Sequence, residues 1–168
     1  MAEHSAAASA VIPGAMRFLS AWLIGTAAAY TVGSVAQSLF VISELVSIGA
    51  KFDFAMRMHV IFYDFTHLGF GGKYIWYGLN LAVGFLIAFP CAMVVARVLK
   101  LPIDLIAAVA GAVAIFTMIT IVHYNSPSTI FYGTRGWDGM SAQIIAGALG
   151  GAIFAVSFRR LFAAGGRP

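Results

Sequence analysis

The sequence has few charges and a single cysteine. Only 10% of its 168 residues are charged, 61% are hydrophobic, and the mean hydropathy is +0.93. Soluble domains are typically about 25% charged and about 45–50% apolar, so a soluble globular domain and a disordered chain are both excluded. One cysteine also excludes a disulfide framework and a paired-cysteine redox or zinc motif.

The sequence also lacks a cluster of positive charge and the common catalytic fingerprints. The net charge is +4, but the cations are scattered along the chain, whereas nucleic-acid-binding domains concentrate them on one face. We therefore expect no nucleic-acid partner. No nucleophile elbow, P-loop or dinucleotide fingerprint is present, and Gly69-Phe70-Gly71-Gly72 follows an aromatic run rather than a strand. The chain is not expected to be an enzyme.

Long apolar runs dominate what remains. A membrane-crossing helix needs about 20 mostly apolar residues. Four segments meet this requirement, at about 18–40, 74–98, 103–122 and 140–158, and the first could continue to Ile48. Their hydrophobicity is continuous rather than alternating, which argues against a barrel. The sequence predicts an all-α integral membrane protein, with a single four-helix transmembrane domain over residues 1–168.

The three connections differ in character. The short one at 99–102 ends in Pro102, with Asp104 in the next helical turn, and predicts an antiparallel hairpin. In segment 50–72, Asp53, Arg57 and Asp64 recur at helical spacing among apolar residues, which predicts an amphipathic helix lying in the outer membrane interface. Segment 124–139, rich in glycine and aromatic residues, predicts an ordered outer loop.

Basic residues favour one orientation. The side that would hold both termini and the second connection carries six cations, Arg17, Arg97, Lys100, Arg159, Arg160 and Arg167. The opposite side carries four cations, Lys51, Arg57, Lys73 and Arg135. Because cytoplasmic loops are enriched in Lys and Arg, we expect both termini in the cytoplasm of a bacterial-type inner membrane.

Small residues recur at helical spacing in the first and last spans. They are Gly25, Ala29 and Gly33, and Gly147, Gly150 and Gly151. Such residues let helix backbones approach closely, but the pattern does not identify the partner helix. The same residues could pack within the four-helix unit or form an interface with another membrane subunit or with a second copy.

The spans themselves hold no ionisable residue at mid-depth. Such residues usually mark ion paths and proton relays, so a proton-coupled pump is not expected. Passive conduction remains an alternative, in which Asn80 and Pro90 of the second span would line a channel or small-solute pathway.

The outer connections supply the remaining candidates for chemistry. Three histidines fall on this side, and Asp64 stands three residues before one of them, where it could orient a ligating imidazole. This metal or redox set is His59, Asp64, His67 and His123. Met56 and Met58 are soft ligands that suit copper; haem or a pigment is the other option. The plainer interpretation is that these histidines lie at the membrane interface with their hydrogen bonds satisfied and bind no metal or cofactor.

A second outer set is Arg135, Trp137 and Asp138, which could form a loop-fixing ion pair, an anion site or an anchor for a partner protein.

The leading expectation is that this chain is a non-catalytic accessory or scaffolding subunit, or a homo-oligomer, whose partners are the lipid bilayer and other membrane chains.

Overall fold

The described residues of this chain form five α-helices. The computed structural model describes residues 2–70, 77–125, 134 and 136–164. The helices are α1 (Ala2–Ser47), α2 (Phe54–Phe70), α3 (Tyr77–Leu99), α4 (Ile103–Asn125) and α5 (Trp137–Ala164). No strand occurs in these ranges. The predicted all-helical fold is confirmed.

Four of the described helices are long and apolar enough to cross a membrane: α1 from Gly14 onward, α3, α4 and α5. They coincide with the four predicted spans and extend beyond several of their ends, except that residues 74–76 of the second predicted span lie outside the described residues. The largest extension is in α1, whose 34 residues from Gly14 to Ser47 measure about 51 Å at about 1.5 Å per residue. A hydrocarbon core is only about 30 Å thick, so an upright α1 would project well beyond it.

Local signals explain where the helices begin and end. Gly49, with a φ of 96°, donates its N–H to the carbonyl of Val46 and ends α1. The Asp53 carboxylate accepts the N–H of Met56 at 2.7 Å and caps α2. Lys100 has a φ of 53° and follows the last residue of α3, two residues before Pro102.

The four long helices pack antiparallel in the order α1, α5, α4, α3 around the bundle, and α3 and α4 form the hairpin predicted from their short connection. At mid-height the interior is filled by aromatic rings. Phe89 of α3 stacks on Phe154 of α5 with centroids 4.1 Å apart, and Phe18 of α1 meets Phe154 edge-on at 5.8 Å. Phe85 is also fully buried.

Helix α2 lies against the outer half of α1. Ser38 donates its hydroxyl to the Asp64 carboxylate at 2.8 Å, and Tyr30 donates to the carbonyl of Phe65. Leu68 reaches the hydrophobic core of the bundle. The first half of α2 is exposed, including Phe54 and Met56. A helix therefore exists in the predicted segment 50–72, and it is held by the bundle at its C-terminal half.

We call the end of the bundle that carries the α1–α2 and α4–α5 connections the outer end, following the predicted orientation. The opposite end, with the α3–α4 turn, is the inner end.

Candidate functional site

The small residues singled out in α1 and α5 contact other helices of the same chain. A Cβ on Gly25 would overlap the carbonyl oxygen of Gly150, and one on Gly150 would overlap the methyl group of Ala29. Gly33 faces the side chains of Tyr77 and Gln143. These contacts bring α1 and α5 to backbone-level approach, which is what small residues permit between helices.

The other side of α5 packs equally closely on α4. A Cβ on Gly147 would overlap the carbonyl of Gly111, and one on Gly151 would overlap the carbonyl of Ala107. All six small residues of the prediction thus lie in packing within the chain.

A cluster of uncharged polar side chains lies in the outer half of the bundle. Gln143 of α5 is 2% exposed; its amide donates to the Gly33 carbonyl at 2.8 Å, and its oxygen accepts the Tyr77 hydroxyl at 2.7 Å. One glutamine thereby joins α1, α3 and α5. Gln37 and Thr134 line the same site. We call Gln37, Tyr77, Thr134 and Gln143 the outer polar cluster.

The outer polar cluster holds helices together. Its side chains are buried, and the space that they line is too narrow to hold a water molecule. Hydrogen bonds between helices in a membrane contribute about 0.6 to 2 kcal/mol each. The cluster contains amide, phenol and hydroxyl groups but no carboxylate or amine. It therefore provides hydrogen bonds that fix helix positions.

The candidate metal ligands are held apart from one another. Asp64 accepts from Ser38 rather than orienting His67. His67 is stacked on Tyr63, with centroids 3.9 Å apart, and its Nδ1 lies 2.8 Å from the Tyr63 carbonyl oxygen. His123 is half-buried, and its Nε2 lies 3.2 Å from the Thr134 hydroxyl.

His59 is exposed near the start of α2. Within the described ranges, no three His, Cys, Asp or Glu side chains come together in a way that could hold a metal ion. For His67 and His123, the plainer interpretation agrees with the hydrogen-bond distances to their neighbours.

An open apolar groove runs between α3 and α4 on the outside of the bundle. It encloses about 650 Å³ and extends from Asn80 to Val95 on α3. Gly84, Ala88 and Ala92 line it at four-residue spacing on α3. On α4, Ala110 and Ala114 line it at the same spacing. Branched side chains flank these small residues, namely Val83, Ile87, Val109 and Val113. We call this surface the α3–α4 groove.

The two pore candidates lie on the outside of α3. Asn80 is exposed and lines the outer end of the α3–α4 groove. Pro90 is exposed and does not line the groove. The described interior beside α3 is filled by Phe85 and Phe89, so neither candidate borders a passage through a single chain.

Of the predicted outer-loop site, Arg135 lies outside the described residues. Trp137 is 81% exposed at the start of α5, and Asp138 is exposed in the first turn of that helix. A carboxylate in the first turn of a helix is stabilised by the helix dipole.

Sequence reasoning did not single out Gln37, Tyr77 or Gln143 as a site. It also missed the groove, although the spacing of Gly84, Ala88 and Ala92 was a readable signal for a close-packing face. Tyr77 gave no such signal, because a tyrosine at a span end is ordinary at a membrane interface.

Comparison with protein-family models, with curated proteins and with solved structures finds no match for this chain.

Proposed function

We propose that this chain is an integral inner-membrane protein with both termini in the cytoplasm, and that it acts as a non-catalytic accessory subunit of a membrane complex. The four long apolar helices support the membrane assignment. The scarcity of charge within them, and the dispersed histidines, support a role in assembly rather than in chemistry. In this arrangement α2 lies at the outer membrane interface, with its exposed aromatic and methionine side chains toward lipid.

The α3–α4 groove is the observation that carries the proposal. Lipid supplies no hydrophobic drive for helix association, so membrane helices associate where small residues permit close van der Waals packing. The small residues of α1 and α5 already pack against other helices of the same chain. Gly84 and Ala88 face outward into an unfilled concavity, and the buried Ala92 lines its inner part. A transmembrane helix of another subunit can place a ridge of side chains there.

The two alternatives have less support. A passive channel through one chain conflicts with the aromatic filling of the described interior, so a channel would have to form between chains. A metal or redox role would require ligands from outside this chain, because the described histidines are apart. Neither alternative is favoured by a specific contact.

The test fills the groove and measures the native size of the complex. Ala88→Leu and Ala110→Leu add bulk to the groove floor, and overpacking of this kind typically costs about 1–3 kcal/mol. We expect gentle detergent extraction to give the unmodified chain in a larger complex, and the double variant to retain roughly a tenth of that complex or less, as such a cost implies.

The matched control is Ala27→Leu, which makes the same change at an exposed position of α1 outside the groove. It should leave the complex intact. Recovery of the unmodified chain as a lone monomer would refute the proposal, and so would a complex that survives the groove variants.

A further inference from the structure

Five cations lie at the inner end of the bundle. Antiparallel packing brings together Arg17 of α1, Arg97 and Lys100 at the α3–α4 turn, and Arg159 and Arg160 of α5. We call these five residues the basic rim. Two contacts join cations of the basic rim to residues of neighbouring helices. Arg159 forms an ion pair with Asp104, with an N···O distance of 3.1 Å, and the Arg17 guanidinium lies 5.6 Å from the centre of the Phe162 ring.

The charge of the basic rim is not balanced locally. Among residues 14–163, Asp104 is the only acid at the inner end, and its partner Arg159 neutralises it. Arg97, Lys100 and Arg160 are exposed. The described part of the outer end is the reverse, because Lys51 and Arg57 are outnumbered there by four acids, Glu44, Asp53, Asp64 and Asp138.

Exposed apolar side chains stand beside the rim cations. Met16, Val98 and Leu99 are 62%, 73% and 58% exposed, and Leu101 is 43% exposed. A surface that alternates cations with exposed aliphatic groups suits a ligand that has both a negative headgroup and acyl chains. A soluble acidic protein or a nucleic acid would offer nothing to the aliphatic groups.

From this arrangement we infer that the basic rim binds anionic phospholipid. The cations contact the phosphate, and the adjacent aliphatic side chains contact the upper acyl carbons. Juxtamembrane cations near an anionic surface each contribute about fivefold in affinity. The inference is independent of the proposed role of the α3–α4 groove, which lies along the sides of two helices rather than at the end of the bundle.

The test titrates phosphatidylglycerol or phosphatidylcholine into the detergent-purified full chain and counts bound lipids by native mass spectrometry. Arg97→Gln, Lys100→Gln and Arg160→Gln are combined, which spares both the Arg159–Asp104 pair and the Arg17–Phe162 contact. We expect phosphatidylglycerol to be retained over phosphatidylcholine, and the triple variant to lose affinity for phosphatidylglycerol on the order of a hundredfold.

The control variant is Lys51→Gln with Arg57→Gln at the outer end, which should leave retention unchanged. Raising the salt to about 1 M should release phosphatidylglycerol from the unmodified chain, since that shortens the Debye length to about 3 Å; this arm decides the question even where the triple variant does not fold. Equal retention of both lipids, or retention at high salt, would overturn the inference. Displacement of the lipid by millimolar inorganic phosphate would also overturn it, because that result identifies a site for soluble anions.

Discussion

At the residue scale, the decisive contacts are those between backbones. Gly111 and Gly147 bring α4 and α5 so close that no side chain fits between them. Gly84, in the same hairpin as Gly111, has open space where its Cβ would lie. The two glycines therefore look alike in sequence and differ entirely in what an added methyl group would meet.

This difference gives a matched pair of variants. We expect Gly111→Ala to lower the free energy of unfolding by about 1–3 kcal/mol, because the added methyl group overlaps the Gly147 carbonyl and forces the helices apart. Gly84→Ala should be neutral or stabilising by up to about 1 kcal/mol, since alanine is the better helix former. Thermal unfolding in detergent compares them, and equal stability of the two variants would show that the close approach of α4 and α5 is not formed.

At the scale of elements, α2 is the helix least integrated into the fold. Its described hydrogen bonds to the rest of the bundle come from Ser38 and Tyr30, and its N-terminal half is exposed. By contrast, glycine residues of α5 pack closely against α1 on one side and against α4 on the other. A helix held by few contacts opens independently of the rest of a structure.

Removing one contact should therefore release α2 alone. Ser38→Ala deletes the hydroxyl that donates to the Asp64 carboxylate, and a hydrogen bond to a charged group is typically worth about 1.5–3 kcal/mol. We expect amide hydrogen exchange in α2 to accelerate roughly ten- to hundredfold. Exchange in α4 and α5 should not change.

Ser47→Ala is the control for this experiment, because the Ser47 hydroxyl donates to the backbone carbonyl of Glu44 in its own helix. Unchanged exchange in α2 of the Ser38 variant would contradict its attachment through Asp64. Acceleration across all helices would show instead that Ser38 supports the whole bundle.

At the scale of the molecule, charge and packing divide the surface into distinct parts. The inner end is positive, the described outer end carries more acids than bases, and the α3–α4 groove is apolar along its flank. An end-to-end charge difference of this kind orients a helical bundle in a membrane, because cytoplasmic segments are enriched in Lys and Arg.

The orientation is measurable with a reporter enzyme that is active only outside the cytoplasm. We expect a fusion at the C-terminus to be silent and an insertion in the 48–53 connection to be active, since these points lie at opposite ends of the bundle. The reverse pattern would place the basic rim outside, and activity at both points would contradict the four-span topology.

The sequence by itself determined the elements of this protein. Continuous apolar runs specified four long helices, Pro102 and its neighbours specified the hairpin turn, and the helical spacing of Asp53 and Arg57 specified a helix before α3. These features are local, because each depends on hydrophobic length or on backbone conformation within a few residues.

Only the tertiary structure decided which faces of the helices meet. In a soluble protein the apolar face of a helix marks the core, but the spans of this chain are apolar all round, so their rotation cannot be read from hydrophobicity. Gly147 and Gly84 both belong to small-residue patterns, yet Gly147 packs against Gly111, whereas Gly84 faces an open groove. The physical reason is that close approach depends on the shape of both partners at once, and a spacing pattern describes only one of them.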